Sequence, residues 1–419
     1  MERCTRRQFL RQVVAAGGAA ALGTQRAVVP AAEETKERFP AAAAVTRGPK
    51  HHFFGYYDKQ QWDASGRYLL CQEVSFMDRP PRADETITVG MVDLKEGNRW
   101  HPISQTTAWC WQQGTMLQWL GSAPDRLIIH NDRAEDRFIA VIRDVRSGES
   151  RKLPRAIYAV SPDGRQAVCL NFSRVQRTRP GYGYAGLPDP WANEAHPKDD
   201  GIFWMDLETG QNRLIVSLDQ IAAIKHDETM EEAEHWFNHL LFNPDGSRFI
   251  FLHRWRKEKG GWWTRMFTAA PDGTDLHLVA DHGMVSHFIW RDPTHILAWS
   301  REPKTGNRYH LYTDRSDEVR VVGEGILTQD GHCSYSPHRR WILTDTYPDR
   351  DRFRTLLLYN PEGRRRVDIG RFFSPRELDG EIRCDLHPRW SRDGKQVCID
   401  SVHEVSRQVY VLDVGPIVT

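Results

Sequence analysis

The 419-residue sequence lacks a strong excess of charge of either sign and lacks long apolar runs. Lys and Arg number 57 and Asp and Glu number 56, which gives a net charge of +1. This balance gives no electrostatic reason to expect nucleic acid as a partner. No stretch reaches the roughly 18 apolar residues that a membrane-spanning helix needs, so we expect no stable membrane insertion of the exported chain.

Several catalytic motifs are also absent. There is no GxSxG nucleophile elbow, which argues against a serine peptidase. No phosphate-binding or dinucleotide-binding glycine motif occurs, and no pair of carboxylates stands out as the acid and nucleophile of a glycosidase. The seven cysteines are irregularly spaced and include no CxxC pair, so the sequence does not predict how any disulfides would be paired.

The N-terminus has the pattern of an export signal. Arg6 and Arg7 stand before the apolar stretch 13–23, which is rich in Ala and Gly. A twin arginine followed by small apolar residues is typical of substrates of the twin-arginine (Tat) export machinery. We therefore predict a signal peptide over residues 1–31, a linker over residues 32–47, and a periplasmic or secreted protein.

One strand–turn–strand unit organises the rest of the chain. Residues 239–252 consist of an apolar run, a Pro-Asp-Gly turn and a second apolar run rich in strand formers, which predicts a β-hairpin. Seven such units occur, and they begin at Trp62, Trp119, Val160, Phe242, Trp290, Tyr335 and Trp390.

A second pair of short strands follows each unit, and four strands per repeat is the blade of a β-propeller. The sequence therefore predicts an all-β, seven-bladed β-propeller over residues 48–419, with four antiparallel strands in each blade. One terminus is expected to supply a strand to the last blade, because an open sheet edge would invite pairing with other chains.

An insertion interrupts the regular spacing between the third and fourth units. It covers residues 175–197 and contains Tyr182 and Tyr184. Long loops on a propeller often cover the central channel and carry function, so both tyrosines are candidate substrate-binding residues. A short helix is expected within residues 219–233.

Aligning the units on their first aromatic residue places a histidine at the same position in four consecutive blades. The innermost strands line the central channel, so equivalent positions form a ring, and four imidazoles there suit a transition metal or zinc. Each histidine taken alone is equally consistent with a hydrogen-bonded core residue. We predict a divalent metal (zinc, manganese or calcium) bound by His239, His287, His332 and His387, with Asp385 able to replace one ligand.

A second candidate centre lies in the third blade. Tyr158 and Arg174 flank the third hairpin, 16 residues apart. On adjacent antiparallel strands they would approach each other at the channel mouth, where an arginine lowers the pKa of a phenol and favours proton transfer. The same arginine would suit a substrate carboxylate. The alternative, a core tyrosine and a surface arginine, stays open.

Further polar and aromatic candidates lie in the first two blades. Gln113 and Asn131 carry amides that would bind carboxylates or hydroxyls, and His130 lies beside Asn131, although strand-end polar groups are as often internally bonded. The aromatic run at residues 51–59 either walls a sugar site or packs the core of the first blade.

These motifs resemble those of the seven-bladed propeller polysaccharide lyases. Residues 238–246, 287–290 and 385–388 look like the corresponding parts of oligogalacturonate lyases. That resemblance implies a divalent metal on His332 and His387, His287 as the catalytic base, and Arg265 as a substrate-binding arginine. Asp385 stands where that family has a histidine.

The spacing of Tyr158 and Arg174, together with the aromatic run 51–59, is more similar to ulvan lyases and rhamnose–glucuronate lyases. This second resemblance implies that Tyr158 is a catalytic acid or base, that Arg174 neutralises a uronate carboxylate, and that His130 assists while Gln113 replaces a second histidine.

Both resemblances imply cleavage of a uronate-containing oligo- or polysaccharide by β-elimination, and we favour the second assignment of the catalytic residues. The alternative function is a non-catalytic periplasmic propeller of the TolB type, which binds a protein or glycan partner.

Overall fold

The computed structural model describes residues 39–257 and 261–419. Within these ranges, 28 strands form seven four-stranded antiparallel sheets, which confirms the predicted seven-bladed β-propeller. The predicted signal peptide and residues 32–38 of the predicted linker lie outside the described residues, so export stays a prediction. No helix in the two described ranges has the length and apolar character needed to cross a membrane.

The strands follow the chain blade by blade. The first described strand, β1, is Ala42–Ala44, and it belongs to the seventh blade. The first blade contains β2 (His51–Phe53), β3 (Tyr68–Val74), β4 (Ile87–Asp93) and β5 (Arg99–Thr106). The second contains β6 (Gln118–Trp119), β7 (Leu127–Arg133), β8 (Phe138–Asp144) and β9 (Ser150–Leu153). The third contains β10 (Ala159–Val160), β11 (Gln166–Cys169), β12 (Gly201–Asp206) and β13 (Asn212–Ser217). The fourth blade contains β14 (Glu234–Phe242), β15 (Phe249–Arg256), β16 (Trp263–Ala269) and β17 (His277–Ala280). The fifth contains β18 (Val285–Trp290), β19 (His295–Glu302), β20 (Gly306–Thr313) and β21 (Val319–Val321). The sixth contains β22 (Ser334–Tyr335), β23 (Ile342–Asp345), β24 (Phe353–Asn360) and β25 (Arg365–Phe373). The seventh contains β26–β28, which are Arg389–Trp390, Gln396–Ser401 and Gln408–Asp413.

The N-terminal strand closes the propeller. β1 pairs antiparallel with β28, with Ala43 opposite Val411, and so completes the seventh blade as expected. Ala42–Ala44 lies inside the range predicted as a linker, so the propeller begins at least as early as residue 42. The physical reason is the edge of β28, whose backbone groups gain hydrogen-bond partners from this strand.

Tight turns join the innermost strand of each blade to the next strand. Gly246, in the turn of the fourth blade, has φ 75°, a left-handed conformation that glycine adopts without steric cost. In the sixth blade the equivalent residue is Arg339, with φ 59°. The turn geometry is therefore kept where the glycine is lost, which explains why this degenerate unit still forms a blade.

The aromatic run at residues 51–59 fills the channel. Tyr56 and Tyr57 lie between β2 and β3 and are 2% and 5% exposed. The Tyr57 hydroxyl donates to the backbone carbonyl of Phe288 in the fifth blade, at 2.7 Å. Of the two interpretations of this run, the structure supports core packing, here across the channel.

Three short helices complete the described fold: α1 (Phe172–Thr178), α2 (Leu218–Ala223) and α3 (Gly415–Val418). The Asn171 side chain caps α1 by accepting a hydrogen bond from the Arg174 amide at 3.1 Å. α2 is shorter than the helix expected over residues 219–233. All six described cysteines are buried and free, namely Cys71, Cys110, Cys169, Cys333, Cys384 and Cys398.

Candidate metal centre

Four histidines meet inside the channel, but they are not equivalent. The ring centroids of His287 and His332 are 4.2 Å apart, and those of His332 and His387 are 4.4 Å apart. His239 instead stacks on Tyr56, with centroids 5.0 Å apart. We call His239, His287, His332, His387 and Asp385 the histidine cluster. Its members divide into different chemical environments.

Three members of the cluster, His332, Asp385 and His387, can share one metal ion, and we call them the metal triad. Their ligand atoms lie within 4.8 Å of one another, and Nε2 of each histidine is 4.0 Å from Oδ2 of Asp385. Both Nε2 atoms are buried and lack a hydrogen-bond partner. Because an unpaired buried polar atom is costly, two such atoms facing one carboxylate fit a divalent cation. Of the four histidines predicted as ligands, the structure thus brings His332 and His387 together with Asp385 in one group that could hold an ion.

Neighbouring groups hold the metal triad in this arrangement. The Nδ1 atom of His332 lies 2.9 Å from Oδ1 of Asp345, which also accepts from the His332 amide at 2.7 Å. A carboxylate on Nδ1 places the proton there and leaves the Nε2 lone pair free for a metal. His387 has φ 43°, a left-handed conformation that costs a non-glycine residue about 1–2 kcal/mol. Strain of this kind is typical of binding sites.

Two arginines set the charge state of Asp385. Arg354 Nη2 lies 2.7 Å from its Oδ1, and Arg383 Nε donates to its Oδ2 at 2.7 Å. Burial opposes ionisation of Asp385, but Arg383 and Arg354 hold its pKa well below the usual range. Burial, with the adjacent His332, lowers the pKa of His387, which favours the neutral imidazole that binds metals.

The two arginines were not predicted from the sequence. A signal for one of them was present, because residues 383, 385 and 387 alternate and so share one side of an extended chain. Arg354 lies in β24, the third strand of the sixth blade, where the alignment of innermost strands gives no information about contacts to the seventh blade.

His287 is adjacent to the metal triad but is held by a different carboxylate. Its Nδ1 lies 2.9 Å from Oδ1 of Asp330, whose side chain is 20% exposed. Burial lowers the pKa of His287 and Asp330 opposes this effect, so the imidazole is neutral at neutral pH and able to accept a proton. The Tyr347 ring, 39% exposed, lies 6.2 Å from the His287 ring. Asp330 and Tyr347 lie in loops outside the repeated units and were missed.

The two tyrosines of the insertion have different positions. The Tyr182 hydroxyl accepts a hydrogen bond from Arg383 Nη2 at 2.7 Å, and its ring lies 5.5 Å from that of His239. Tyr182 is therefore at the histidine cluster. Tyr184 is fully buried, and its ring stacks on Phe172 with centroids 4.2 Å apart. The predicted substrate contact of Tyr184 is not supported, because its ring is part of the core.

The predicted pair of Tyr158 and Arg174 does not form. The Tyr158 hydroxyl accepts from the His239 amide at 2.8 Å and from Gln113 Nε2 at 2.7 Å. Burial raises its pKa, the opposite of the predicted effect. Arg174 instead anchors the insertion: its guanidinium donates to Asp189 and to the backbone carbonyls of His235, Trp191, Glu194 and Ala195.

The reason for this correction is local. Asn171 starts α1, so Arg174 lies on a helix and not on the strand that follows the third hairpin. The spacing of 16 residues brings Tyr158 and Arg174 together only if both lie on adjacent strands. Because Arg174 lies on α1, the two side chains do not approach each other. An asparagine ahead of residues 172–178 was an available signal for a helix N-terminus.

The polar candidates of the second blade are internally bonded. His130 Nδ1 donates to the carbonyl of Asn131 at 2.9 Å, and its Nε2 lies 3.0 Å from the hydroxyl of Ser104. The Asn131 side chain donates from Nδ2 to the backbone carbonyl of Ile157 and accepts at Oδ1 from the backbone amide of Ile157, both at 2.8 Å. Gln113 is 1% exposed and bonds Tyr158. None of these side chains is open to a ligand, so the structure does not support their predicted roles.

Arg265 is likewise occupied inside the fold. Its Nη1 donates to the carbonyl of Ile224 at 2.7 Å, and its Nη2 donates to that of Ile221 at 3.1 Å. These carbonyls lie at the C-terminal end of α2, where a cation also interacts favourably with the helix dipole. The predicted contact of Arg265 with substrate is therefore replaced by a structural role.

No protein-family model and no curated protein sequence matches the chain. Among solved structures, an oligogalacturonate lyase from Vibrio parahaemolyticus is similar, with 13% identity, a TM-score of 0.64, and coverage of 91% of this chain and 95% of that one. An oligogalacturonate lyase in complex with manganese shares 15% identity, with a TM-score of 0.63 and coverage of 90% and 95%. The propeller domain of the Trilobed protease from Pyrococcus furiosus shares 11%, with a TM-score of 0.52 and coverage of 87% and 95%. These similarities establish the propeller fold.

Proposed function

We propose that this protein is a polysaccharide lyase that cleaves a uronate-containing glycan by β-elimination at the histidine cluster. The observation that carries the proposal is the position of His287, a neutral imidazole oriented by Asp330 beside a set of residues that fits a divalent metal. The two most similar folds reported above are oligogalacturonate lyases, and one of them binds manganese, which supports the same assignment.

β-Elimination in a uronate has three requirements. The charge of the carboxylate must be neutralised so that the C5 proton becomes acidic, a base must remove that proton, and the oxygen leaving C4 must gain one. The C4–O bond breaks as the C4=C5 double bond forms. The metal triad would hold a divalent cation, which would supply positive charge to neutralise the carboxylate.

The residues around the metal triad can meet the other two requirements. His287 takes the C5 proton, and Asp330 stabilises the imidazolium that results. Tyr347 is the partly exposed phenol beside His287. Burial of its hydroxyl and the nearby Asp385 raise the pKa of Tyr347 well above its usual value, so it stays protonated at neutral pH. We assign to it the proton that the leaving oxygen gains. The two positive charges of Arg354 and Arg383 outnumber the single negative charge of Asp385. The resulting net positive charge favours an anionic substrate.

The test is a direct assay of the double bond. Metal-loaded protein is incubated with pectic, ulvan and rhamnose-capped glucuronan substrates, and the ultraviolet absorbance of unsaturated uronate products is followed. We expect activity on at least one substrate, its loss in His287→Ala, and its retention in the control His295→Ala, because His295 lies on the next strand of the same blade and bonds Asp292. No absorbance change with any substrate would contradict the proposal and favour a non-catalytic, partner-binding propeller.

A further inference from the structure

Two arginines beside the histidine cluster have no neutralising partner among residues 39–257 and 261–419. Arg179 follows α1, and Arg254 lies in β15. The Nε atom of each is buried without a hydrogen-bond partner, and no carboxylate of the described residues forms an ion pair with either guanidinium. Arg354 and Arg383 differ in this respect, since both pair with Asp385. Two adjacent positive charges without a counter-ion indicate a site for an anion.

Aromatic rings join these two arginines. The guanidinium carbon of Arg179 lies 4.5 Å from the ring centroid of Trp262 and 4.8 Å from that of Tyr182. The guanidinium carbon of Arg254 lies 5.8 Å from the Trp262 ring. Trp262 is 40% exposed, an unusual position for a large apolar side chain in this fold. An open indole flanked by two guanidinium groups offers a flat surface and several hydrogen-bond donors to one ligand.

This arrangement is continuous with the proposed catalytic site. Tyr182 contacts Arg179 on one side and accepts a hydrogen bond from Arg383 on the other, and Arg383 bonds Asp385 of the metal triad. Burial, together with the nearby Arg179, lowers the pKa of Arg254 to about 10. The repulsion between the two arginines would be relieved by a bound anion.

We propose that Arg179, Arg254 and Trp262 form a second sugar subsite. It binds an anionic substituent, a carboxylate or a sulfate ester, on the sugar unit next to the cleaved uronate, while that unit stacks on Trp262. This inference rests on the proposed function, because it takes the histidine cluster as the point of cleavage. It also narrows the substrate to a glycan with acidic groups on adjacent units.

The experiment measures binding separately from cleavage. A trisaccharide with three free uronate carboxylates is titrated calorimetrically into the metal-loaded protein in the His287→Ala background, which is expected to leave the ligand intact. Two further probes carry either methyl esters or a sulfate ester on the neighbouring unit. Arg179→Gln and Arg254→Gln are compared with the control Arg213→Gln, because Arg213 stacks on Trp204 in the third blade at 4.5 Å without a second arginine.

We expect Arg179→Gln and Arg254→Gln each to weaken binding of the preferred anionic probe about 10- to 100-fold, the loss typical of hydrogen bonds to a charged group. The methyl-esterified probe and the control variant should show no change. Dependence on the arginines for the sulfated probe alone would identify the anion as a sulfate ester. Trp262→Ala should weaken all three probes, and since Trp262 is exposed it provides a test even if the buried Arg254 variant fails to fold.

Two outcomes separate this inference from the proposed function. Unchanged affinity in both arginine variants would overturn the subsite, whether or not the wild-type protein cleaves the glycan. Arginine-dependent binding with no double-bond formation by the wild-type protein would keep the acidic-sugar site and overturn the lyase. Failure of the protein to bind any of the anionic probes would contradict both.

Discussion

Two buried polar regions of the propeller both contain histidine and differ in how their polar atoms are paired. Around Tyr158, the second and third blades bring together a phenol, a histidine and two amides. Their hydrogen bonds run to one another, to the backbone, and to the hydroxyls of Ser104 and Tyr184. In the metal triad, by contrast, His332 and His387 each keep one buried nitrogen without a partner. The first region is complete as folded, whereas the second has two buried nitrogens that a bound metal ion would pair.

This difference shows which polar clusters deserve a functional interpretation. Buried hydrogen bonds that close within the protein rigidify the core, and their disruption costs stability. Buried atoms left open cost stability in the absence of a ligand, so they persist where binding compensates.

Replacing both histidine ligands should abolish stoichiometric metal binding. We expect the double variant His332→Ala, His387→Ala to retain no divalent metal on elemental analysis of the purified protein, because a single carboxylate is a weak ligand set. The melting temperature of the wild-type protein should fall with chelator and that of the double variant should not. His239→Ala is the matched control, since this histidine lies outside the metal triad; loss of metal in that variant would contradict the division of the cluster.

Arg174 should matter for folding and not for chemistry. Replacing it by Gln leaves Asp189 and several buried carbonyls without their partner, so we expect the free energy of unfolding to fall by about 3–5 kcal/mol. Chemical denaturation measures this change. At temperatures below its unfolding transition, the folded variant should keep the wild-type kcat. A large loss of kcat in fully folded protein would restore Arg174 to the catalytic site.

Asp345 should affect the metal affinity of the site without itself binding the metal. Asp345→Asn removes the carboxylate that orients His332, and changes of this type weaken metal affinity about 10- to 100-fold. Competition with a fluorescent chelator provides the measurement. Asp330→Asn, which alters the partner of His287, serves as the control and should leave metal affinity unchanged.

The smallest effect is expected at Tyr158. Tyr158→Phe deletes a hydroxyl that bonds Gln113 and the His239 amide, so the free energy of unfolding should fall by about 1–3 kcal/mol through unsatisfied buried groups. Thermal unfolding followed by circular dichroism tests this. A stability loss below the experimental error would mean that the network around Tyr158 is less complete than the hydrogen bonds indicate.

The architecture was predictable because each blade repeats a local signal. The Pro-Asp-Gly turn at residues 244–246 and its variants set the hairpins without reference to distant residues. Register then placed four histidines, His332 and His387 among them, at one level of the channel, with Asp385 able to replace one ligand. Both steps depend only on the periodicity of strands and blades.

The rest of the candidate site depends on contacts that the repeat does not encode. Arg354 reaches Asp385 from another blade, and Asp330 and Tyr347 approach His287 from loops of no fixed geometry. The prediction for Tyr158 and Arg174 was wrong because a helix begins at Phe172, where two adjacent strands were assumed. Spacing along the chain translates into distance only when the intervening secondary structure is known.

The central claim is that the chemistry belongs to the histidine cluster and not to the region around Tyr158. The most direct test compares the rates at which His287→Ala and Tyr158→Phe form unsaturated products from the same uronate glycan at equal metal loading. Loss of a general base typically lowers the rate about 10²- to 10⁴-fold, and we predict that loss for His287→Ala, with Tyr158→Phe close to wild type. A folded Tyr158→Phe protein without activity, beside an active His287→Ala protein, would contradict the assignment.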